Sequence, residues 1–201
     1  MLSLDLKYMQ QKLNFTDYAN QNWNAAAVVI TDGEYTFFIK RSELVKSFKG
    51  HVAFVGGNRL STELTPLETI EREFMEETAL GSDFLLALGL LPVVSTGERV
   101  EIAPVVMWSS RPILEWIANA TSNGEWDFCL AVKNDFLFDA KHWSRAGLYY
   151  PHKPVRDVLF CPLAPAVYKA NIIHKEGLVL WGATARMIRN LVEVLELSLE
   201  N

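Results

Sequence analysis

The sequence predicts an α/β domain built on a mixed β-sheet, and three observations lead there. Short apolar runs rich in β-branched and aromatic residues recur along the chain, the first two (residues 24–31 and 35–40) being joined through Asp32-Gly33. Thr65-Pro66-Leu67-Glu68 combines an N-cap, a first-turn proline and a capping-box glutamate, so a helix starts at about Pro66. A closing helix over about residues 183–199 carries Met187, Leu191, Val194 and Leu195 at the spacing of an element packed on a sheet.

The elements follow in order. Leu4, Met9 and Leu13 share one side of a short N-terminal helix that serves as scaffold. Asp32 and Gly33 both tolerate positive φ, which makes the first two strands an antiparallel hairpin. Residues 51–55 read as a short strand running into Gly56-Gly57. In the helix that follows, Leu67, Ile70 and Phe74 form the apolar stripe, and Gly81 is the expected terminator. Residues 84–94 and 100–108 are strands around a Ser95-Thr96-Gly97 turn. From 109 to 154 periodicity is poor and Trp116, Trp126, Phe136, Phe138, Trp143, Tyr149 and Tyr150 accumulate, which predicts loops with short helices. A strand over 155–161, a short helix over 164–172 and a strand over 178–180 precede the closing helix. With 201 residues, half of them hydrophobic, and no repeat or linker, the chain reads as one domain over 1–201.

Composition excludes several functions. A formal net charge of −5 provides no general basic field, so no nucleic-acid partner is expected and the substrate is small. Cys129 and Cys161 are too few for a disulfide framework or a four-ligand zinc site, and neither is tied to a histidine by a local motif; both are expected in the core. His51, His142, His152 and His174 lack metal-ligand spacing. The N-terminal segment lacks the apolar run of a signal peptide and no window reaches membrane-spanning length, so the expectation is a cytoplasmic protein with no membrane partner. A homodimer is left open.

The most informative stretch lies on the helix after Gly56-Gly57. Glu73, Glu76 and Glu77 fall at i, i+3 and i+4, so their carboxylates share one face and repel each other. A divalent cation would reverse that sign, and such cations sit between carboxylates and substrate phosphates. Gly57, Glu63, Arg72, Glu73, Phe74, Glu76, Glu77 and Leu80 match the box G-x5-E-x7-R-E-U-x-E-E-x-G-U, and here the chain resembles the Nudix hydrolase family. It departs in two places: eight residues rather than seven separate Glu63 from Arg72, and Ala79 stands at the late glycine. The resemblance implies a Nudix fold, with the mixed sheet sandwiched between α-helices. It implies Mg2+ or Mn2+ held by Glu73, Glu76, Glu77 and the carbonyl of Gly56, with Arg72 orienting the cluster and Glu63 as an outer partner. For the general base it leaves Glu77, Glu98 and Glu101 open.

Upstream, residues 40–57 are similar to the L-L-T-x-R-S-x3-R-x-H-x-G-x-V-[AS]-F-P-G-G signature of the coenzyme A pyrophosphatases, with Arg41, Ser42, Gly50, Val52, Ala53, Phe54, Gly56 and Gly57 in register. Residues 180–185 resemble the W-G-L-T-A stretch of that branch, and 102–106 its V-T-P-x-V strand. The resemblance implies hydrolysis of coenzyme A or acyl-CoA to 3′,5′-ADP and a 4′-phosphopantetheine moiety, with Arg41, Ser42 and Gly57 contacting substrate. Lys46 and Lys49 are further basic candidates, after Arg41, whose planar fork suits phosphate. Phe48, Val55, Asn58 and Lys46 replace signature residues, which keeps ADP-ribose, a dinucleotide or a nucleoside-diphosphate sugar as the alternative substrate; a non-catalytic Nudix-fold binding module is the third reading. The aromatic 109–154 segment is expected either to act as a lid stacking on substrate or to pack on the sheet.

Overall fold

The computed structural model describes residues 4–96, 99–150, 153–163, 167–169 and 178–197. Helix α1 (Leu6–Lys12) is capped by Asp5, which accepts from the Tyr8 amide. Strands β1 (Ala25–Thr31) and β2 (Tyr35–Arg41) flank the expected turn, where Gly33 has φ +92° and Asp32 Oδ1 accepts from the Glu34 and Tyr35 amides at 3.0 and 2.7 Å. The two strands are in register at Thr31 and Thr36, next to the turn. Beyond it β3 (Val52–Ala53) pairs with β2, and β4 (Gly56–Asn58) pairs with β1. The single strand expected over 51–55 is therefore two short ones serving different neighbours.

Helix α2 (Pro66–Thr78) has the full capping box: the Thr65 hydroxyl accepts from the Glu68 amide, and the Glu68 carboxylate accepts from the Thr65 amide. It ends at Ala79 rather than Gly81. Ala79 is left-handed at φ 58°, and its amide donates to the Met75 carbonyl. Strands β5 (Leu85–Leu90), β6 (Val94–Ser95) and β7 (Glu101–Ser109) follow, then a short helix α3 (Ile113–Trp116).

The segment after residue 109 departs most from expectation. It contributes β8 (Trp126–Lys133), which pairs antiparallel with β2 and is buried on both faces. A one-turn helix α4 (Asn134–Leu137) and strands β9 (Ser144–Tyr150) and β10 (Lys153–Pro162) continue it. Within the stretch expected to form a helix over 164–172, the described residues form β11 (Val167–Lys169), paired with β8. Strand β12 (Val179–Trp181) leads into α5 (Gly182–Val194).

The main sheet runs β11-β8-β2-β1-β7-β5, and β12-β10-β9 form a second, three-stranded sheet. Its mixed character comes from β1 and β7, which are parallel from Ala25 opposite Ile102 to Thr31 opposite Trp108. Alternation divides the core between the two faces. Val28, Ile30, Phe37, Ile39, Cys129 and Ala131 pack with Ile70 and Phe74 of α2 and with Trp116. Ala27, Val29, Phe38, Leu130 and Val132 pack with Met9 of α1, with Cys161, and with Met187, Ile188 and Leu191 of α5. Helices thus cover both faces of the central sheet. Both cysteines are buried, and burial pushes each thiol up to about 12, so neither is a nucleophile. Among the described residues no helix is long and apolar enough to cross a membrane.

The aromatic residues of 109–154 are structural where their side chains are described. Trp116, Trp126, Phe128 and Phe138 are buried. The Trp116 indole donates to Ser109 Oγ and the Trp143 indole to the Leu137 carbonyl, which leaves them no part in a lid.

A left-handed alanine pays a Cβ penalty that glycine avoids. Ala79→Gly is expected to stabilise the protein by about 1 kcal/mol, less the entropy a glycine adds to the unfolded chain. Chemical denaturation with an unchanged m-value checks this, and a loss of stability would contradict the left-handed cap.

Candidate active site

The site begins where β1 and β2 part. The loop between β4 and α2 folds around Glu63, a carboxylate only 7% exposed. Glu63 accepts from the Leu60 amide at 2.7 Å, the Thr69 hydroxyl at 2.6 Å and Arg72 Nε at 2.7 Å. These donors, the Arg72 guanidinium foremost, hold its carboxyl down to about 2 despite burial. Just beyond Glu63 the loop leaves Leu64 exposed before α2 begins at Pro66 with its capping box complete.

Arg72 distributes its other donors across the site. Its Nη1 reaches Glu73 Oε1 at 2.7 Å and Glu76 Oε2 at 3.1 Å, and its Nη2 donates to the Asn58 carbonyl at 3.0 Å. The glycines of β4 supply room. A Cβ on Gly57 would fall inside the Glu73 carboxylate, and one on Gly56, at φ 158°, would strike the Ala26 carbonyl. Gly57, expected to contact substrate, also holds open the seat of Glu73. Burial pushes the Glu73 carboxyl up while Arg72 pulls the other way.

Glu77 faces inward and is 1% exposed. Among the described residues neither of its carboxylate oxygens has a hydrogen-bond partner. Burial, with the nearby Glu125 and Glu73 charges adding, raises its carboxyl to about 8; Arg41 opposes, and so, weakly, does the Gly56 amide, which falls short of hydrogen-bond geometry. The last turn of α2 is fixed from outside, because the Trp126 indole donates to the Glu77 carbonyl at 2.8 Å. Within the cluster Glu73 and Glu76 are drawn to Arg72, while Glu77 lies buried beside them with its charge coupled to that of Glu73. No ready-made metal cage of three or more His, Cys, Asp or Glu side chains occurs among the described residues.

Gly56, Gly57, Glu73 and Arg41 line one cleft of about 930 Å3, within the range of small-molecule sites. Arg41 Nη2 lies 3.6 Å from Glu125 Oε2, and its buried Nε has no partner among the described residues. Ser42 does not line the cleft: its hydroxyl accepts from the Leu44 amide, and it is buried. Lys46 and Lys49 are exposed outside the lining. Val55, where the upstream signature has proline, is a fully buried core residue and cannot select substrate, whereas Phe48 and Asn58 do line the cleft. Glu101 is bound by the Ser95 hydroxyl at 2.7 Å, and Glu98 lies outside the described residues.

Glu125 is the residue that sequence reasoning missed. It sits just before β8, and the pairing of β8 with β2 carries it to Arg41, Glu73 and Glu77. The only signal available was the Asn123-Gly124 turn ahead of an apolar run.

A carboxyl raised from 4.5 to about 8 binds a proton more tightly when folded, so its stabilisation is complete below pH 4.5 and is lost as pH rises through 8. The His51 ring, lowered from 6.5 to about 4, acts in the opposite direction but titrates below pH 6.5. Between pH 6.5 and 8 the metal-free protein should therefore lose stability at roughly 1 kcal/mol per pH unit. Denaturation at several pH values in a chelator checks this, and Glu77→Gln should flatten the slope.

The NUDIX domain model matches residues 21–126, which span β1 to the start of β8 and every site residue named above. The uncharacterised Nudix hydrolase NudL of Klebsiella pneumoniae is 28% identical over 155 residues, covering 76% of this chain and 70% of that protein. Among solved structures, a MutT/nudix family protein from Enterococcus faecalis aligns at TM-score 0.47 and 12% identity over 96% of this chain and 70% of that one. An Ap4A hydrolase from C. elegans aligns at 0.42 and 14%, over 52% and 76%. With more than half of its length matched by the family model, the chain belongs to the NUDIX domain family and is a Nudix hydrolase, an enzyme acting on phosphoric anhydrides.

Proposed function

We propose that this enzyme cleaves the diphosphate linkage of a small nucleoside diphosphate derivative, coenzyme A or an acyl-CoA being the favoured substrate, with Mg2+ or Mn2+ at the acidic helix. The observation that carries this reading is Glu77, a buried carboxyl with both oxygens unpartnered beside Glu73, Glu125 and Arg41. A group so placed is costly to keep unless a ligand completes it.

The donors fit a hard divalent cation, being carboxylates and a backbone carbonyl. Glu73, Glu76, Glu77 and the Gly56 carbonyl would hold it, and Glu125 adds a fifth oxygen source in the same cleft. When bound, such an ion supplies neutralisation of developing charge on the diphosphate and a water of lowered pKa. The remaining work falls to side chains of this protein. Arg72, itself fixed by Glu63, keeps Glu73 and Glu76 oriented by charge-assisted hydrogen bonds. Arg41 lines the cleft, and its guanidinium is the group there that would pair with phosphate oxygens. Glu77, near neutral in the uncomplexed site, gains a reason to ionise beside a cation.

Coenzyme A is favoured by the upstream residues in register, Arg41 to Gly57. The alternative, ADP-ribose, a dinucleotide or a nucleoside-diphosphate sugar, is supported by Phe48 and Asn58, which line the cleft where the signature has a histidine and a basic residue.

Incubation with Mg2+ or Mn2+ and a substrate panel, followed by mass spectrometry, should yield 3′,5′-ADP and 4′-phosphopantetheine from CoA. Turnover of a nucleoside-diphosphate sugar with CoA untouched would replace the first reading by the second. Glu73→Gln and Glu77→Gln should each lower kcat/KM by about 100-fold or more. Arg72→Lys should lower it about 10- to 100-fold, because an ammonium cannot reproduce the fork. Unchanged hydrolysis in the glutamine variants would sink the metal assignment.

A further inference from the structure

Phe48, His51 and Trp181 line the same cleft as the acidic site, as does Phe54, which is stacked on Phe38 in the core. The His51 and Trp181 ring centroids are 4.8 Å apart at 42°, and those of Phe48 and His51 5.8 Å apart at 67°. From these contacts we infer that Phe48, His51 and Trp181 form a stacking subsite for the planar base of the substrate, so that the enzyme selects nucleotides by their ring as well as by their phosphates. The inference deepens the hydrolase reading and rests on it only for taking the ligand to be a nucleotide.

Each ring is placed by a separate part of the fold. Trp181 closes β12 opposite Phe160, and the Thr184 hydroxyl, one turn into the chain beyond it, donates to the Val52 carbonyl at 3.3 Å, which draws the start of α5 against β3. His51 immediately precedes β3 and its amide donates to the Phe48 carbonyl at 3.3 Å. Phe48 is 42% exposed yet has a left-handed backbone at φ 54°, an unfavourable conformation for a bulky residue. Both an exposed aromatic and a disfavoured backbone at the rim of a cleft are expected where a ligand covers them.

Charge is consistent with the same occupant. Burial, then the Arg41 and Lys40 charges, lower the His51 ring to about 4, so at neutral pH it offers an uncharged face to a base. Arg41 lines the same cleft as the rings and lies 3.6 Å from Glu125, which offers a cationic group to the phosphates of a stacked nucleotide. Arg186 also lines the cleft and is exposed there.

AMP and ribose 5-phosphate differ only in the base, and neither contains an anhydride, so calorimetric titration in Mg2+ reads binding without turnover. The wild-type protein should bind AMP about tenfold or more tightly than ribose 5-phosphate. His51→Leu and Trp181→Leu should erase that preference, while His51→Phe and Trp181→Phe retain it. Phe48→Ala, at an exposed position, should weaken AMP severalfold and leave ribose 5-phosphate unchanged, and it serves if a leucine variant folds poorly. Equal binding of the two probes by wild type, or a preference that survives in well-folded leucine variants and in Phe48→Ala, overturns the subsite. A base preference found together with no hydrolysis of any diphosphate would instead overturn the hydrolase reading alone.

Discussion

The site depends on the bond between Glu63 and Arg72. Three glutamates on one helical face repel each other, and an arginine at the head of that face is free to swing to any of them or into solvent. Burying Glu63 under the Leu60 amide and the Thr69 hydroxyl removes that freedom, because Arg72 Nε is held at 2.7 Å and only its two terminal nitrogens remain to be shared. Those nitrogens then set Glu73, Glu76 and the Asn58 carbonyl in one geometry. Breaking such a pair from one side costs about 3–5 kcal/mol, far more than a surface ion pair contributes. The Glu76 arm is the weakest link, since its side chain is 55% exposed and screened by water.

The backbone prepares this arrangement by opening the sheet. If β1 and β2 stayed paired along their length, no edge would be free for β3 and β4. Their separation after Thr31 and Thr36 lets Gly56-Gly57 lie against Ala26 and Ala27, directly beneath the Glu73 carboxylate. The same separation leaves β2 to pair with β8 on its far side, and that pairing delivers Glu125 and Trp126 to the end of α2. One divergence thus produces the cleft, the seat of the Glu73 carboxylate and the anchor of the helix C-terminus.

What the sequence revealed and what it concealed follow from the range of the interactions involved. The start of α2 was legible because its cap is a four-residue affair; its end was not, because Gly81 is a reasonable terminator by composition while the Ala79 cap depends on where the Met75 carbonyl lies. Strand β8 was hidden because a strand buried on both faces loses the polar–apolar alternation that marks half-buried ones. Of the two roles open to the aromatic segment, lid or packing on the sheet, Trp126 and Phe128 take the second, on opposite faces. The helix expected over 164–172 fails at residues 167–169 for a similar reason, the edge of β8 providing a partner that no local pattern announces. Among site residues, those in the box were readable by spacing, while Glu125 becomes a site residue solely through strand pairing.

The charges of the cleft form a system that is incomplete without substrate. Glu77 is held toward neutrality by burial and by the Glu125 and Glu73 charges. Arg41 supplies the opposing charge, but its contact to Glu125 at 3.6 Å is longer than a charge-assisted hydrogen bond and leaves Nε unused. A cation beside the glutamates and a phosphate beside Arg41 resolve both deficits together: Glu77 can ionise, Glu125 can turn from Arg41, and Arg41 can satisfy its donors on phosphate oxygen. Occupation by either one alone resolves half of the problem, since a bare phosphate would face the acidic cluster and a bare cation would face Arg41. On the proposed reading the two ligands therefore favour each other through side chains already in place, which is the behaviour required of a site that must act on a metal-complexed diphosphate and ignore either component separately.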